Sequence, residues 1–537
     1  MEQKQGAGSM NLNALLGDWC RAIVTLAVVV VLLVCGYLVW LWNEDTPTDY
    51  ADVVEHFKYG STGGERESGF PLWIWKALPQ VCAEHLPDKG FASPGAHHED
   101  GKGYAAFGMI YETGHDLPVG ASKRSVMGIE RTFLNCAACH TSTVRKTEQS
   151  GPEIYAGMPA NTFNVMAFEK FFFDCSADPN FSGEFIIPEV RRLLQARGED
   201  LGLIDRYVVY PLAVWIMRER LLMLRGRFQF VYAQHEWGPG RVDTFNAAKV
   251  LFNFPMGQLP DREMNAPADF PAIWNQQRKK GMQLHWDGNN NMVEERNKSA
   301  AFGTGTTPPT IDLGRIRRIE DWLRNANPPS YPFPIDQVRA EEGAPIYKKY
   351  CGGCHGASGQ AFGAAEGGQK IECLKPGEPD EVLYGPLVGK ITPIEAIGTD
   401  RRRLDSYTYT LAVNQSALYA GYEWRFCHFR KTFGYANMPL DGLWLRAPYL
   451  HNGSVPTLRD LLEPSGKRPR TFYRGYDVYD PGKVGFVSAV AEEGGRKYFR
   501  YDTSQPGNGN KGHEGPAYGT QLGPGDKDAL IEYLKTF

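Results

Sequence analysis

Two short strings constrain this chain more than any other feature: Cys136-Ala-Ala-Cys139-His140 and Cys351-Gly-Gly-Cys354-His355. In each, two thiols stand three residues apart and a histidine follows the second. Such a thiol pair adds to the two vinyl groups of one haem, and the adjacent imidazole then lies below the ring, where it ligates iron. C-x-x-C-H is therefore read as a site of covalent haem c attachment. A structural zinc site would need four ligands, and no second CxxC or histidine pair lies near either string. A redox dithiol would not require the histidine twice. The chain is expected to carry two covalently bound haems c. Cys136, Cys139, Cys351 and Cys354 are the attachment points, and His140 and His355 are the iron ligands.

Residues 22–42 form a second constraint, an apolar run of 21 residues without a charge. At about 1.5 Å rise per residue, such a helix spans a hydrocarbon core of about 30 Å. A cleavable signal sequence has a shorter apolar run ending in a small-x-small site. Here the run ends in Trp-Leu-Trp-Asn-Glu-Asp, with Trp40 and Trp42 suited to a membrane interface and Lys4 and Arg21 on the inner side. The expectation is an uncleaved single-pass anchor. Residues 1–21 are placed inside the cell, 43–327 form an N-terminal haem c domain, 328–335 a proline-rich linker, and 336–537 a C-terminal haem c domain. The linker rests on four prolines in Asn327-Pro-Pro-Ser-Tyr-Pro-Phe-Pro334, which stop a helix and stiffen the chain.

Apolar spacing predicts helices over 187–196, 212–224, 315–325, 336–350 and 526–535, so the fold class expected is mainly α. A helix before the second haem string and another at the C-terminus is the usual arrangement of a small cytochrome c domain. Asp526 is read as the cap of the last helix. Trp237, Trp274 and Trp444 are read as core, and Asp400-Arg-Arg-Arg403 as a solvated run. The net charge of −4, with no basic stripe, excludes nucleic acid as an expected partner. Of ten cysteines, Cys82, Cys175, Cys373 and Cys427 remain after the anchor and haem strings are assigned. An even remainder outside the cytosol is compatible with disulfides. The pairing stays open, with Cys82–Cys175 and Cys373–Cys427 the arrangement that keeps each bond within one half.

The sixth iron position decides between electron transfer, where it is filled, and binding of O₂ or peroxide, where it is open. Candidate sixth ligands are His56, His85, His97, His98, His115, His235, His285, His428, His451 and His513, with Met158 and Met438 as the thioether options.

Further strings carry a resemblance. They are Gly281-Met-Gln-Leu-His-Trp-Asp-Gly-Asn-Asn290, Glu295-Arg-Asn297, Ser299-Ala-Ala-Phe-Gly-Thr-Gly305, Ala447-Pro-Tyr-Leu-His-Asn-Gly-Ser-Val-Pro-Thr457 and Gly507-Asn-Gly-Asn-Lys-Gly-His513. From about residue 51 to the end, the chain resembles the bacterial dihaem cytochrome c peroxidase and MauG superfamily. Within it, the chain is most similar to the rubber oxygenase (RoxA-type) branch. The resemblance implies a reactive first haem with a weak or absent sixth ligand, and a second haem whose sixth ligand is His513. It implies Trp286 as an electron relay or packing residue, between the haems or beside the distal pocket, and Arg296 and Phe302 as candidates to face the open site. The peroxidases use a Gln and a Glu for acid–base work, whereas this chain reads Glu294-Glu-Arg-Asn297. Calcium between the domains is a superfamily habit that no loop here spells.

The expected function is an oxidoreductase in the periplasm, tethered to the bacterial inner membrane. His140's haem would activate O₂ or peroxide, and the second haem would exchange electrons with periplasmic or membrane carriers. An inner-membrane protein does not reach a polymer outside the cell, so the expected substrate is small and hydrophobic or aromatic. The alternative is a dihaem electron-transfer cytochrome with no substrate of its own. The chain is far larger than electron transfer between two haems requires, which favours the enzyme.

Overall fold

The computed structural model describes residues 12–87, 103–357 and 383–537; His97, His98 and Cys373 lie outside the described residues. A single helix, α1 (Leu12–Asn43), opens the chain. Its most apolar 18 residues, within 21–43, have a mean hydropathy of 2.9, and none of that stretch is buried. This helix is long and apolar enough to cross a membrane, and a signal sequence near an N-terminus has the same character.

Immediately after it, β1 (Asp45–Pro47), β2 (Phe70–Pro71), β3 (Ala121–Val126) and β4 (Ile129–Leu134) form an antiparallel sheet in the order β1-β3-β4-β2. Helix α2 (Leu72–Val81) follows β2. Helices α3 (Val165–Ala177), α4 (Gly183–Gln195) and α5 (Tyr210–Arg227) pack with it. The aromatic residues Trp75, Tyr104, Phe107, Phe168, Phe171 and Phe172 fill the core between them. On α4 the buried residues are Ile186, Val190, Leu193 and Leu194, a stripe at three-to-four spacing. A disulfide joins Cys82, just past α2, to Cys175 on α3. Cys427 is disulfide-bonded as well. The double substitution Cys82→Ala/Cys175→Ala is expected to cost about 2–5 kcal/mol, because it frees a long loop in the unfolded chain. An unchanged urea midpoint under oxidising conditions would refute this.

Helix α6 (Val293–Gly303) packs on α7 (Leu313–Asn325); beyond the prolines, α8 (Gln337–Tyr350) crosses α9 (Pro524–Leu534). The crossing is close because Gly343 has no side chain: a Cβ there would stand 2.1 Å from the Ala529 carbonyl oxygen. Asp336 caps α8 by accepting from the Arg339 amide. Asp526, expected as the cap of the last helix, lies inside its first turn instead, since Pro524 starts the helix after Gly523.

Overall, 44% of the residues are helical and the fold mixes helix with sheet. The mainly helical expectation therefore holds only in part. Short two-stranded ribbons occupy much of the loop regions, where glycine and proline break the helical pattern. Trp237, Trp274 and Trp444 are buried as expected. The run at 400–403 is not all solvated, because Arg403 is buried and pairs with Asp287 at 3.2 Å. One core cluster combines Val144, Met158 and Trp274 with Tyr347, Trp444 and Leu530, from both sides of the proline segment.

Candidate haem sites

The first CxxCH turn is fixed from behind. Asn135 accepts from the Ala137 amide at 2.9 Å and donates to the carbonyls of Lys58 and Gly60. His140 Nδ1 is 2.9 Å from the Pro271 carbonyl oxygen, so Nδ1 carries the proton and Nε2 is left for a metal. Burial, with Arg296 nearby, pushes the His140 pKa down to about 3 and keeps the ring neutral. The second turn follows α8 directly, and Tyr347 donates to the Gly356 carbonyl at 2.6 Å. His355 Nδ1 meets the Met438 carbonyl at 2.7 Å and is oriented in the same way. Met438 thus serves His355 through its backbone, and Met158 is fully buried in the core.

All four motif cysteines are unbridged. Burial pushes Cys136 up to about 11 and Cys139 and Cys351 up to about 12, the reverse of an activated redox dithiol. Two groups of residues among those described come close enough to hold a metal: Glu295, Cys427 and His428, and Glu84, His85 and Asp178. Neither contains a motif histidine, and neither offers the six to eight oxygens that calcium takes.

The rings of His355 and His513 lie with centroids 6.2 Å apart and planes tilted by 44°. Metal–imidazole bonds of about 2 Å on both faces of a haem put two ring centroids on the order of 6 Å apart. The gap therefore fits one iron between two imidazoles. His513 has φ 47° and holds its place through its amide, which donates to Ile397, and its carbonyl, which accepts from Arg468. Gly512 lets this loop press on Gly398, where a Cβ would stand 2.3 Å from backbone. His513 is also held neutral, its pKa pushed down to about 3 by burial.

Most of the other candidate histidines have ordinary partners. His56 meets the Arg315 carbonyl, His85 Asp178, His115 Glu55, and His428 Glu295. His451 stacks on Tyr435 and fixes its own loop. His235 and His285 each have an Nε2 that is buried without a hydrogen-bond partner among the described residues, and the backbone of His285 is left-handed, φ 63°. Around His140, the ring contact among the described residues is with Phe270, at 6.5 Å.

Trp286 is hydrogen-bonded to the backbone segments that hold both motif histidines. Its Nε1 donates to the Asp269 carbonyl at 2.7 Å, two residues before the Pro271 that holds His140. Its own carbonyl accepts from the Ala436 amide at 2.8 Å, two residues before the Met438 that holds His355. Arg296, on α6, acts electrostatically on Cys136, His140 and His285. Phe302 lies six residues further along α6, about a third of a turn away around the axis, and stacks on Phe252. Arg296 and Phe302 therefore occupy different faces. Glu295 is used structurally, accepting from the Cys427 and His428 amides and from Asn290.

Three residues escaped the sequence reading. Lys279 is 4% exposed and has no hydrogen bond or ion pair among the described residues. Its electrostatic neighbours are Arg446, Arg296 and Asp441. Arg446 donates to the Pro439 and Asp441 carbonyls and acts on His355. These cations form a chain from the first centre to the second. Asp441 answers only part of this buried positive charge; the excess calls for an anion, and haem carries two propionate carboxylates. Glu169 has a buried, unpartnered Oε2, and burial raises its pKa to about 8 beside Cys139. Lys279 stands in Arg278-Lys279-Lys280, which reads like any solvated basic run.

The profile of the RoxA-like, cytochrome c-like family matches residues 434–473, the segment that includes Met438 and His451. Two uncharacterized proteins of Sinorhizobium fredii are similar to this chain. The protein y4iJ is 30% identical over 371 residues, covering 56% of this chain and 60% of its own length. The protein y4iM is 32% identical over 309 residues, covering 50% and 64%. The chain thus spans less than two thirds of the curated relatives it matches. The RoxA-like domain supports a RoxA-type c-type cytochrome with covalently bound haem c.

Proposed function

We propose that this chain is a dihaem oxidoreductase of the cytochrome c peroxidase/MauG kind, with an open reactive first centre and a closed electron-transferring second centre. The carrying observation is the asymmetry between them: His355 faces His513 across an iron-sized gap, whereas His140 faces no second imidazole at such a spacing among the described residues. Cys136 and Cys139 would attach the first haem and Cys351 and Cys354 the second. Bound haem c supplies one-electron chemistry and, at an open position, chemistry with O₂ or peroxide. The residues orient both proximal imidazoles, keep them neutral, and surround the first centre with Arg296 and His285.

Lys279, Arg296 and Arg446 are the residues that would receive propionates. In Lys279→Met, both haems are expected to stay attached while a midpoint potential falls, because a cation that disfavours the ferric state is removed. Unchanged potentials in a spectroelectrochemical titration would remove Lys279 from this role. Trp286 lies on a hydrogen-bonded route between the backbone segments that hold the two proximal histidines. Trp286→Phe is expected to slow electron equilibration between the haems by at least tenfold with unchanged optical spectra. Equal rates by flash photolysis of the half-reduced protein would argue for packing alone.

A cleft of about 620 Å³ opens between α6, α7 and Trp424. Leu313, Ile316 and Trp424 line it beside seven charged residues, of which Glu320 acts on Cys136. The cleft offers a small substrate an approach towards the first centre, with Trp424 as its aromatic contact. The N-terminal helix supports a single-pass anchor in the inner membrane with the haem centres in the periplasm, where redox carriers would reach the second centre. Turnover of a small aromatic substrate with peroxide or O₂, lost on removal of either haem, tests the reading as a whole.

A further inference from the structure

The helical segment from Leu203 through α5 breaks the usual pattern of a surface helix. Val214, Met217 and Leu221 bury one stripe against the core. The opposite side is also apolar. Leu203, Ile204, Tyr207, Val208, Leu212, Trp215 and Ile216 are all large, and each is at least 43% exposed, with Leu203 at 76%. Ile204, Val208, Leu212 and Ile216 recur every four residues, which makes a continuous ridge. A turn of π-helix, Asp205–Val209, widens the helical repeat and keeps the ridge on one side. Soluble monomers seldom leave a contiguous apolar face of this extent in water.

What covers this ridge follows from where it lies. Arg220, one turn past Ile216, donates to the Glu67 carbonyl at 2.8 Å. Arg66, the preceding residue, pairs with Asp45 at 2.5 Å, and Asp45 lies two residues beyond the end of α1. Arg131 of β4 donates to the Arg66 carbonyl. The tip of the β3–β4 hairpin closes on α1 itself: Met127 donates to the Glu44 carbonyl, and Gly128 leaves room for Leu41, whose Cδ2 would be 2.6 Å from a Cβ there. The part of α5 one turn past Ile216 is thus tied to the segment that follows α1. The ridge also has the make-up of an interfacial helix, with Tyr207 and Trp215 beside aliphatic residues and Arg206 and Arg220 at its margins.

We propose that the exposed face of residues 203–216 lies on the lipid surface of the membrane that α1 crosses, as a second attachment that fixes the tilt of the haem-bearing part. This rests on the reading of α1 as an uncleaved anchor. The ridge would sit at the acyl boundary, with the two arginines against anionic headgroups.

The test uses the full chain, reconstituted in phosphatidylcholine/phosphatidylglycerol vesicles, with Cys20→Ser and Cys35→Ser removing the anchor thiols. Nitroxide labels are placed by Val208→Cys and, as a control on α8, by Val338→Cys, a position 68% exposed. The label at 208 is expected to relax faster with O₂ than with a water-soluble nickel chelate, and the label at 338 the reverse. Adding Ile204→Glu/Leu212→Glu, both surface changes, is expected to move the label at 208 into water. Equal nickel access at 208 and 338 would overturn the proposal. So would shielding of 208 from both reagents, which would mean a second copy of the chain covers the ridge. The mass of the mature protein separates the two readings. Loss of residues 1–43 would refute the anchor, and the same label ratio on the processed chain would then decide the docking face by itself.

Discussion

In His513→Ala, the second haem is expected to change from a low-spin to a high-spin ferric spectrum while remaining covalently attached. The ring of His513 stands 6.2 Å from that of His355, and nothing else in its loop offers an imidazole. The covalent bonds to Cys351 and Cys354 and the Met438 carbonyl that orients His355 are untouched by the change. The loop itself is held by backbone contacts to Ile397 and Arg468, so removal of the ring leaves its course intact. The variant, unlike the parent protein, is also expected to bind cyanide or imidazole at the second haem. A low-spin spectrum that persists in this variant would mean that another residue closes the iron, and His513 would lose its role.

The second large effect is expected at the other centre. His140→Ala should reduce any oxygenase or peroxidase activity to background while the second haem stays attached and low-spin. His140 is the residue of the first motif whose Nδ1 is fixed by Pro271 and whose Nε2 is left for the iron. The second centre depends on α8, α9 and the loops at 438 and 513, none of which touches His140. Steady-state assays alongside a pyridine haemochrome count check both parts. Full activity in this variant, with loss of activity in His355→Ala, would reverse the roles of the two centres.

The haem strings were legible because the chemistry demands contiguous residues: two thiols and a histidine in five positions. The helix before the second string and the helix at the C-terminus were legible for a related reason, since their apolar periodicity is local. The sheet that carries β1 and the many small ribbons were not, because their pairing joins segments tens of residues apart, as in Asp45 with Val126. Cys82–Cys175 was one of several pairings open to the sequence; proximity of α2 and α3 selects it. Lys279 and Arg403 looked like solvated charge because burial is a tertiary property. His513 stood out only through its resemblance to a known string, and the facing ring of His355 now gives it a geometric basis. The apolar residues at 212–216 had the spacing of a buried helix face, yet that side of the helix is exposed, which sequence periodicity alone does not distinguish from a core-facing stripe.

The most direct test of one open and one closed centre is low-temperature EPR, with optical spectra, on the oxidised full-length protein in detergent. One high-spin and one low-spin ferric signal of equal intensity are expected, the high-spin signal shifting on addition of peroxide or cyanide. Two low-spin signals that ignore both ligands, in the oxidised and the half-reduced protein alike, would contradict the account. They would place a ligand such as His285 on the first iron and leave an electron carrier in place of an enzyme.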